Sequence, residues 1–284
     1  HGNIHDTYTI IDYLVKVFQV HPYTKVVWLG DIIDRNPFDL ENLAFILSFW
    51  LNFPENVFII RGNHEDSSVC SRYGFSQHLY ERIGDRERFE EIWAKVTSFF
   101  VKLPLGIRSS IGDKEIIAFH GGIPFDVNDY RPINIQNLDQ FDCFHQEHYD
   151  MDPLSQTILW ADPDPDNLQG ELVAPSPRTG RPRFSQKALE DFLTVNNLDC
   201  LVRGHQKFSS GYNLLWENQV VSLFSTSMYD NRKIGQAKFL HLQRKTLLSE
   251  LEDETQGLGR GILEIDPNYL NSHLKRHYRA ESSQ

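Results

Sequence analysis

Short apolar runs recur along the chain, and four of them end abruptly in a cluster of polar residues. A continuous apolar run of this length is typical of a strand buried on both faces. In sheets that alternate with helices, ligands gather beyond the carboxyl ends of the strands. The pattern therefore predicts four strands that deliver their polar residues to one sheet edge. The runs and the clusters that follow them are 26–29 with 30–35, 57–60 with 61–65, 116–119 with 120–122, and 201–202 with 203–205.

Longer segments carry apolar residues at helical spacing. They predict helices over 40–51, 86–100 and 186–195, the last opened by Ser185 as its N-cap. After residue 205 the pattern changes to successive strand-like runs at 220–224 and 237–242. Alternating elements followed by successive strands predict one layered α/β domain, built around a mixed sheet or two packed sheets.

Composition narrows the class of partner. The 284 residues carry a formal net charge of −11, which argues against a nucleic-acid backbone as the main partner. No apolar run is long enough to predict a membrane span. Cys70, Cys143 and Cys200 are odd in number and widely spaced, so we expect reduced thiols in an intracellular, cytoplasmic protein.

Two segments are predicted to lie at the periphery of the fold. The stretch 162–182 is rich in Pro, Gly and Asp and predicts an exposed loop. Its acidic start is not a calcium loop, because Asn167 and Val173 stand where that motif requires Gly and Glu. The stretch 249–284 is charged and ends in a basic group, so we expect a mobile or peripherally packed tail.

The polar clusters contain a coherent set of metal donors. Asp31, Asn63, His120 and His205 offer oxygen and nitrogen without sulfur, which suits Mn, Fe or Zn. An Asp can bridge two ions, and two ions about 3.5–4 Å apart can clamp an in-line phosphoryl displacement. Each residue taken singly has a structural explanation, but the set together predicts a site.

The four blocks 30–35, 62–65, 120–122 and 203–205 resemble, in order and spacing, the signature blocks of the phosphoprotein phosphatases. These are the metal-dependent serine/threonine phosphatases within the calcineurin-like metallophosphoesterases. Residues 159–163, 72–75 and 176–178 are similar to further segments of that family. The resemblance implies a catalytic domain over 1–242, with a central β-sandwich of mixed sheets flanked by helices, and a C-terminal extension over 243–284.

The resemblance also implies a role for each site residue and a direct attack on phosphorus by a hydroxide that bridges two metals. His64 is the implied general acid, and Asp34 orients it. Phosphate oxygens are bound by Arg35 and by Arg178, for which Arg181 and Arg183 are nearby rivals. The remaining implied positions are Tyr229 at the edge of the phosphate site and the metal ligands His1, Asp31, Asn63, His120 and His205.

The chain departs from the family pattern at its start, at residue 36, at residues 225–229 and after residue 242. His1-Gly2 resembles the end of the family's Gly-Asp-x-His-Gly block, and we expect the Asp of that block to precede His1. Asn36 replaces the usual Gly after Asp34-Arg35, and Asn is tolerated in the left-handed conformation that such a turn uses. The late Ser-Ala-Pro-Asn-Tyr block is replaced by residues 225–229, and nothing after 242 matches the family.

Three functions remain open from the sequence. The first is hydrolysis of phosphoserine and phosphothreonine in proteins, with two divalent metals (Mn in vitro, Fe or Zn as alternatives) and room for a regulatory protein. The second is hydrolysis of a small phosphoester, as in the diadenosine tetraphosphate hydrolases. The third is an inactive scaffold that keeps the fold to bind partners, which is disfavoured because every visible ligand position is filled.

Overall fold

A computed structural model of the chain describes residues 1–126, 131–135, 153–166, 172–176, 180–242 and 260–265. Seven helices occupy these ranges: α1 Ile4–Val20, α2 Asp39–Asn52, α3 Ser67–Cys70, α4 Phe75–Ile83, α5 Arg86–Val101, α6 Pro153–Trp160 and α7 Gln186–Asn196. The strands there are β1 Val26–Trp28, β2 Val57–Ile59, β3 Gly106–Ile111, β4 Lys114–Phe119, β5 Asp162–Pro163, β6 Val173–Pro175, β7 Pro182–Phe184, β8 Cys200–Arg203, β9 Tyr212–Leu215, β10 Val220–Leu223, β11 Met228–Tyr229, β12 Arg232–Lys233, β13 Ala237–Leu242 and β14 Arg260–Ile265.

The four strands that carry the polar clusters belong to two sheets. β1 pairs in parallel with β2, whereas β4 and β8 are parallel neighbours in a five-stranded sheet of order β3-β4-β8-β10-β9. The prediction of one sheet edge was therefore wrong, and the predicted mixture of sheets and helices is confirmed. The four polar clusters converge because the carboxyl ends of both parallel pairs meet.

Burial explains why the predicted strands read as continuous apolar runs. Along β4, Ile117 and Phe119 pack into the core under α6 and α7, while Ile116 and Ala118 pack into a second core on the opposite face. Both faces of the sheet are covered, so the usual alternation of apolar and polar residues is lost. A further core joins α1 and α2 to the small sheet around Phe18, Phe49 and Val57.

The local signals at helix ends match the structure. The Ser185 hydroxyl accepts a hydrogen bond from the Ala188 backbone N–H at 3.2 Å, as expected of an N-cap. The three helices predicted from periodicity are present as α2, α5 and α7. Helix α1 was not predicted.

The C-terminal region is described only in part. Strand β14 pairs antiparallel with β13, so residues 260–265 of the predicted extension extend the fold beyond residue 242. The basic group at the end of the chain lies outside the described residues, and the boundary at 242 stays a prediction. Among the described helices, none is long and apolar enough to cross a membrane.

Candidate dinuclear metal site

The predicted donors come together at the strand ends. Asp31 lies just after β1, Asn63 and His64 follow β2, and His120 and His205 follow β4 and β8. Asp31 and His205 have positive φ angles of 54° and 67°. Residues other than Gly rarely adopt this left-handed backbone conformation, and such positions concentrate at functional sites.

One group of donors joins Asp31, His120 and His205, whose ligand atoms lie within 4.8 Å of one another. His120 Nε2 is 3.3 Å from Asp31 Oδ2. The amide oxygen of Asn63 lies 2.9 Å from His120 Nε2 and 3.0 Å from His205 Nδ1. Four donors from four strand ends therefore face a common point.

A second group joins His1, Asp31 and His64, again within 4.8 Å. His1 Nε2 lies 3.3 Å from the same Asp31 Oδ2. Asp31 is the one member shared by both groups among the described residues. A carboxylate shared by two donor groups is the arrangement that a bridging ligand requires.

The hydrogen bonds of the histidines fit a metal. The Nδ1 atoms of His1 and His120 lie 3.0 Å and 2.6 Å from the backbone carbonyl oxygens of Ile33 and Leu29. A carbonyl only accepts, so Nδ1 carries the proton and donates, and the lone pair of Nε2 faces the Asp31 carboxylate. Ligating histidines are oriented in this way in metal sites. The residues present therefore fit two divalent ions bound by oxygen and nitrogen.

Glu65 fixes the loops that carry the ligands. Its carboxylate accepts hydrogen bonds from the backbone N–H groups of Asp31, Ile32 and Gly62 at 2.7, 2.8 and 2.8 Å. Burial raises the pKa of Glu65, and the nearby Asp31 raises it further. The sequence predicts no role for Glu65; the structure shows that it ties the loop after β1 to the loop after β2.

His64 is held by a buried carboxylate. Its Nδ1 lies 2.6 Å from Asp34 Oδ2, and Asp34 Oδ1 accepts from the backbone N–H of Phe75 at 3.1 Å. Burial raises the pKa of Asp34 to about 8 and lowers the pKa of His64 to about 4. Both shifts favour the uncharged pair, in which a proton is held between Asp34 Oδ2 and His64 Nδ1 and Nε2 is left to donate. Asp34 therefore lies at the hydrogen-bonding position beside His64 that the resemblance implies.

Arg35 lies between two aromatic rings. Its guanidinium carbon is 3.8 Å from the ring centroid of Tyr73 and 5.0 Å from that of Tyr229. Its Nη1 lies 3.4 Å from Oδ1 of Asp230. Burial raises the pKa of Tyr229 to about 12, so its hydroxyl stays protonated and able to donate. Tyr73 and Asp230 were not among the predicted site residues.

The remaining arginines have different surroundings. Arg178 falls at 177–179, outside the described residues. Arg183 is paired with Asp164. The guanidinium carbon of Arg181 lies 3.6 Å from the centroid of the Trp160 ring, and the Trp160 ring lies 5.6 Å from the His205 ring. Arg203 is fully buried and donates to Asp162 Oδ1 at 2.8 Å and to backbone carbonyls. Arg203 therefore supports the fold rather than the substrate.

The turn after Arg35 differs from the sequence prediction. Asp34 and Arg35 adopt the left-handed conformation, with φ of 65° and 71°, and Asn36 does not. The tolerance of Asn for that conformation is therefore not what preserves the turn. Asn36 instead donates its side-chain N–H to the Met228 carbonyl at 3.2 Å, which links the turn to strand β11.

A cavity of about 910 Å³ lies behind the site, between α1, β1 and the five-stranded sheet. Its lining is mostly apolar and includes Leu14, Val26 and Ile116, with the metal-site residues at its edge. Polar side chains also line the cavity, among them Asn3, Thr7 and Thr226. We assign the cavity no part in the proposed reaction.

Comparisons with known proteins agree with this geometry. The chain is 29% identical over 276 residues to a PP2A-like serine/threonine-protein phosphatase, PPG1, of Candida albicans, covering 95% of this chain and 60% of that protein. It is 28% identical over 267 residues to the serine/threonine-protein phosphatase 4 catalytic subunit of Candida glabrata, covering 93% and 79%. The chain thus spans less than two thirds of the length of the first relative.

The fold has a counterpart among solved structures. A serine/threonine phosphatase of Saccharomyces cerevisiae with similarity to human phosphatase PP5 superposes with a TM-score of 0.70 at 22% identity, covering 94% of this chain and 78% of that one. Residues 1–207 match the sequence pattern of the calcineurin-like phosphoesterases, and the match includes all five predicted metal ligands. The chain belongs to the calcineurin-like phosphoesterase family.

Proposed function

We propose that this chain is the catalytic domain of a metal-dependent phosphoserine/phosphothreonine protein phosphatase. The observation that carries the proposal is Asp31, shared by two groups of metal donors, with the His64–Asp34 pair in one of them and Arg35 nearby. The names of the relatives support the protein phosphatase branch of the family.

Two divalent ions at this site would supply an activated water molecule and offset the negative charge of the phosphate. We propose Mn for activity in vitro, with Fe or Zn as alternatives, because the donors are oxygen and nitrogen without sulfur. His1 and Asp31 would hold one ion, and Asp31, Asn63, His120 and His205 the other. Asp34 forms a hydrogen bond with Nδ1 of His64, so Nε2 is left for proton transfer.

The protein side chains perform the rest of the reaction. Arg35 presents a planar guanidinium that matches two phosphate oxygens. The leaving serine or threonine oxygen takes a proton from Nε2 of His64, while Asp34 keeps the imidazole oriented. The Tyr229 ring lies 5.0 Å from the His1 ring. Its hydroxyl can donate a hydrogen bond to a phosphate oxygen at the rim of the site.

The closest alternative uses the same ligands on a small phosphoester such as diadenosine tetraphosphate. Turnover of a phosphoserine peptide and of diadenosine tetraphosphate should be compared in the presence of Mn²⁺. We expect a higher kcat/KM for the peptide. A preference for the dinucleotide would replace the proposal with that alternative, and no turnover of either with metal bound would favour an inactive scaffold.

The role of His64 has its own test. His64→Ala should retain Mn²⁺ binding and lose about 10²- to 10⁴-fold in kcat on phosphoserine peptide. The loss should be smaller on p-nitrophenyl phosphate, whose leaving group needs little protonation. Calorimetric metal binding serves as the control for folding. An unchanged kcat on the peptide would remove His64 as the acid.

We also propose a location in the cell. Cys70 and Cys200 are buried free thiols, which suits the reducing environment of the cytoplasm, and Cys143 lies outside the described residues. We propose a cytoplasmic phosphoprotein as substrate, with a regulatory protein as a further partner.

A further inference from the structure

A pocket of about 290 Å³ lies beside the proposed reaction centre. Tyr73 and Trp160 form two of its walls, and Arg72 and Arg181 line its rim. Both arginines are exposed, so their charged groups face solvent. The pocket therefore combines aromatic surfaces with two cations.

The pocket shares its walls with the reaction centre. The Tyr73 ring lies 3.8 Å from the guanidinium carbon of Arg35 and 5.0 Å from the His64 ring. On the other side, the Trp160 ring lies 5.6 Å from the His205 ring. Tyr73 and Trp160 thus line the pocket and also lie beside the groups that would hold the reacting phosphate.

These shared residues bring the pocket within reach of the side chains next to the reacting residue of an extended peptide. Neighbouring residues of an extended chain are about 3.3–3.6 Å apart along its length. A peptide whose phosphoserine lies at Arg35 and His64 would therefore place the side chain of a residue one or two positions away at the pocket.

The positive charge of the pocket favours a negatively charged occupant. The chain as a whole carries a net charge of −11, yet this pocket presents two guanidinium groups. Within the described part of the chain, no carboxylate forms an ion pair with Arg72. Arg181 is held flat over Trp160, which fixes its position as a second cation of the rim. Guanidinium groups pair well with carboxylate and phosphate oxygens.

We propose that this pocket is a subsite for a negatively charged side chain, phosphorylated or carboxylic, next to the phosphoserine or phosphothreonine that is hydrolysed. The inference rests on the proposed function, because it assigns a substrate preference to the same site. It makes acidic or multiply phosphorylated peptide segments the preferred substrates.

The test measures kcat/KM on phosphoserine peptides that differ only in the flanking residues. Peptides with neutral, Glu, second-phosphoserine, Lys and Leu flanks are compared with Mn²⁺ present. We expect Glu flanks to exceed neutral flanks about fivefold and a second phosphoserine to exceed them about tenfold. The Glu and phosphoserine arms distinguish a carboxylate from a phosphate as the better occupant.

Variants of Arg72 assign the preference to the pocket. In Arg72→Gln, kcat/KM on the Glu and second-phosphoserine peptides should fall to within about twofold of kcat/KM on the neutral peptide. The value on the neutral peptide itself should not change. Arg72→Glu should shift the preference to Lys flanks. Arg88→Gln, at an exposed position on α5, is the matched control and should keep the wild-type ratios.

Two results would overturn the inference: wild-type ratios that persist in Arg72→Gln, or a preference for Leu flanks. Activity on the neutral peptide reports independently on the proposed function and on folding. If no phosphopeptide is turned over by metal-loaded wild-type protein, the proposed function itself fails.

Discussion

Glu65 shows how one buried side chain organises the proposed metal site. Its exposed fraction is 0%, and it accepts three backbone hydrogen bonds from two different loops. One of those donors is the backbone of Asp31, the shared ligand. Groups that orient a metal ligand affect metal affinity even though they do not touch the metal.

Glu65→Gln should therefore weaken both the fold and metal binding. The amide of Gln replaces one acceptor oxygen by a donor, so at least one buried N–H loses its partner. We expect a loss of about 2–3 kcal/mol in the free energy of unfolding and about tenfold in Mn²⁺ affinity. Denaturant unfolding and calorimetry measure the two effects.

The control for that variant is Glu91→Gln. Glu91 lies on α5 and pairs with Lys95 at an exposed position, so its loss should have little effect on the free energy of unfolding. If Glu65→Gln proves as stable as Glu91→Gln and binds Mn²⁺ as wild type does, Glu65 does not organise the site.

Asp230 is placed to compete for Arg35 with the phosphate of the proposed substrate. It lies in the turn between β11 and β12, at φ of 51°, where its carboxylate reaches the guanidinium. Asp230→Asn should lower the inhibition constant of inorganic phosphate about two- to fourfold, because an exposed ion pair of modest strength is removed. The gain should shrink as ionic strength rises.

Steady-state inhibition by phosphate measures this effect. Asp113→Asn, in the exposed turn between β3 and β4, is the control and should leave the constant unchanged. An unchanged constant in Asp230→Asn would mean that this carboxylate does not restrain Arg35.

At the scale of elements, the site depends on the close approach of the loops after β1 and β2. A Cβ added to Gly62 would lie under 3.0 Å from Asp31 and 2.6 Å from Glu65 Oε2. The contacts are to a ligand and to the carboxylate that holds it. Neither can move without disturbing the site.

Gly62→Ala should therefore cost about 1–3 kcal/mol of stability, as expected for overpacking, and should reduce Mn²⁺ affinity. Gly204→Ala is the matched control in the same site. Its added Cβ would meet its nearest neighbours at 3.6 Å, an ordinary contact, so we expect little change. Denaturant unfolding and Mn²⁺ titration of the two variants measure these effects. Equal stability and equal Mn²⁺ affinity in the two variants would contradict the close approach of the loops.

The sequence predicts the elements and ligands whose signals are local. β1, β2, β4 and β8 are visible as apolar runs, and the polar residues directly after them are the donors that converge. Which strands share a sheet is not visible from the sequence, because pairing depends on contacts distant in sequence. The same holds for the contact of Arg35 with Asp230, which lies 195 residues away.

At the scale of the whole molecule, an acidic chain concentrates cations where the proposed substrate binds. Arg35, Arg72 and Arg181 lie around one end of the fold in a protein of net charge −11. The total charge argues against a nucleic-acid backbone as the main partner, but it does not reveal such a local concentration. Only the fold brings these three arginines, far apart in sequence, around one site.

The most direct test of the central claim is phosphate release from a phosphoserine peptide as Mn²⁺ is returned to chelator-treated protein. We expect no turnover with chelator, and a rate that rises and levels off at two Mn²⁺ per chain, because two donor groups share Asp31. Turnover that persists in chelator, or that levels off at one Mn²⁺ per chain, would contradict a dinuclear phosphatase site.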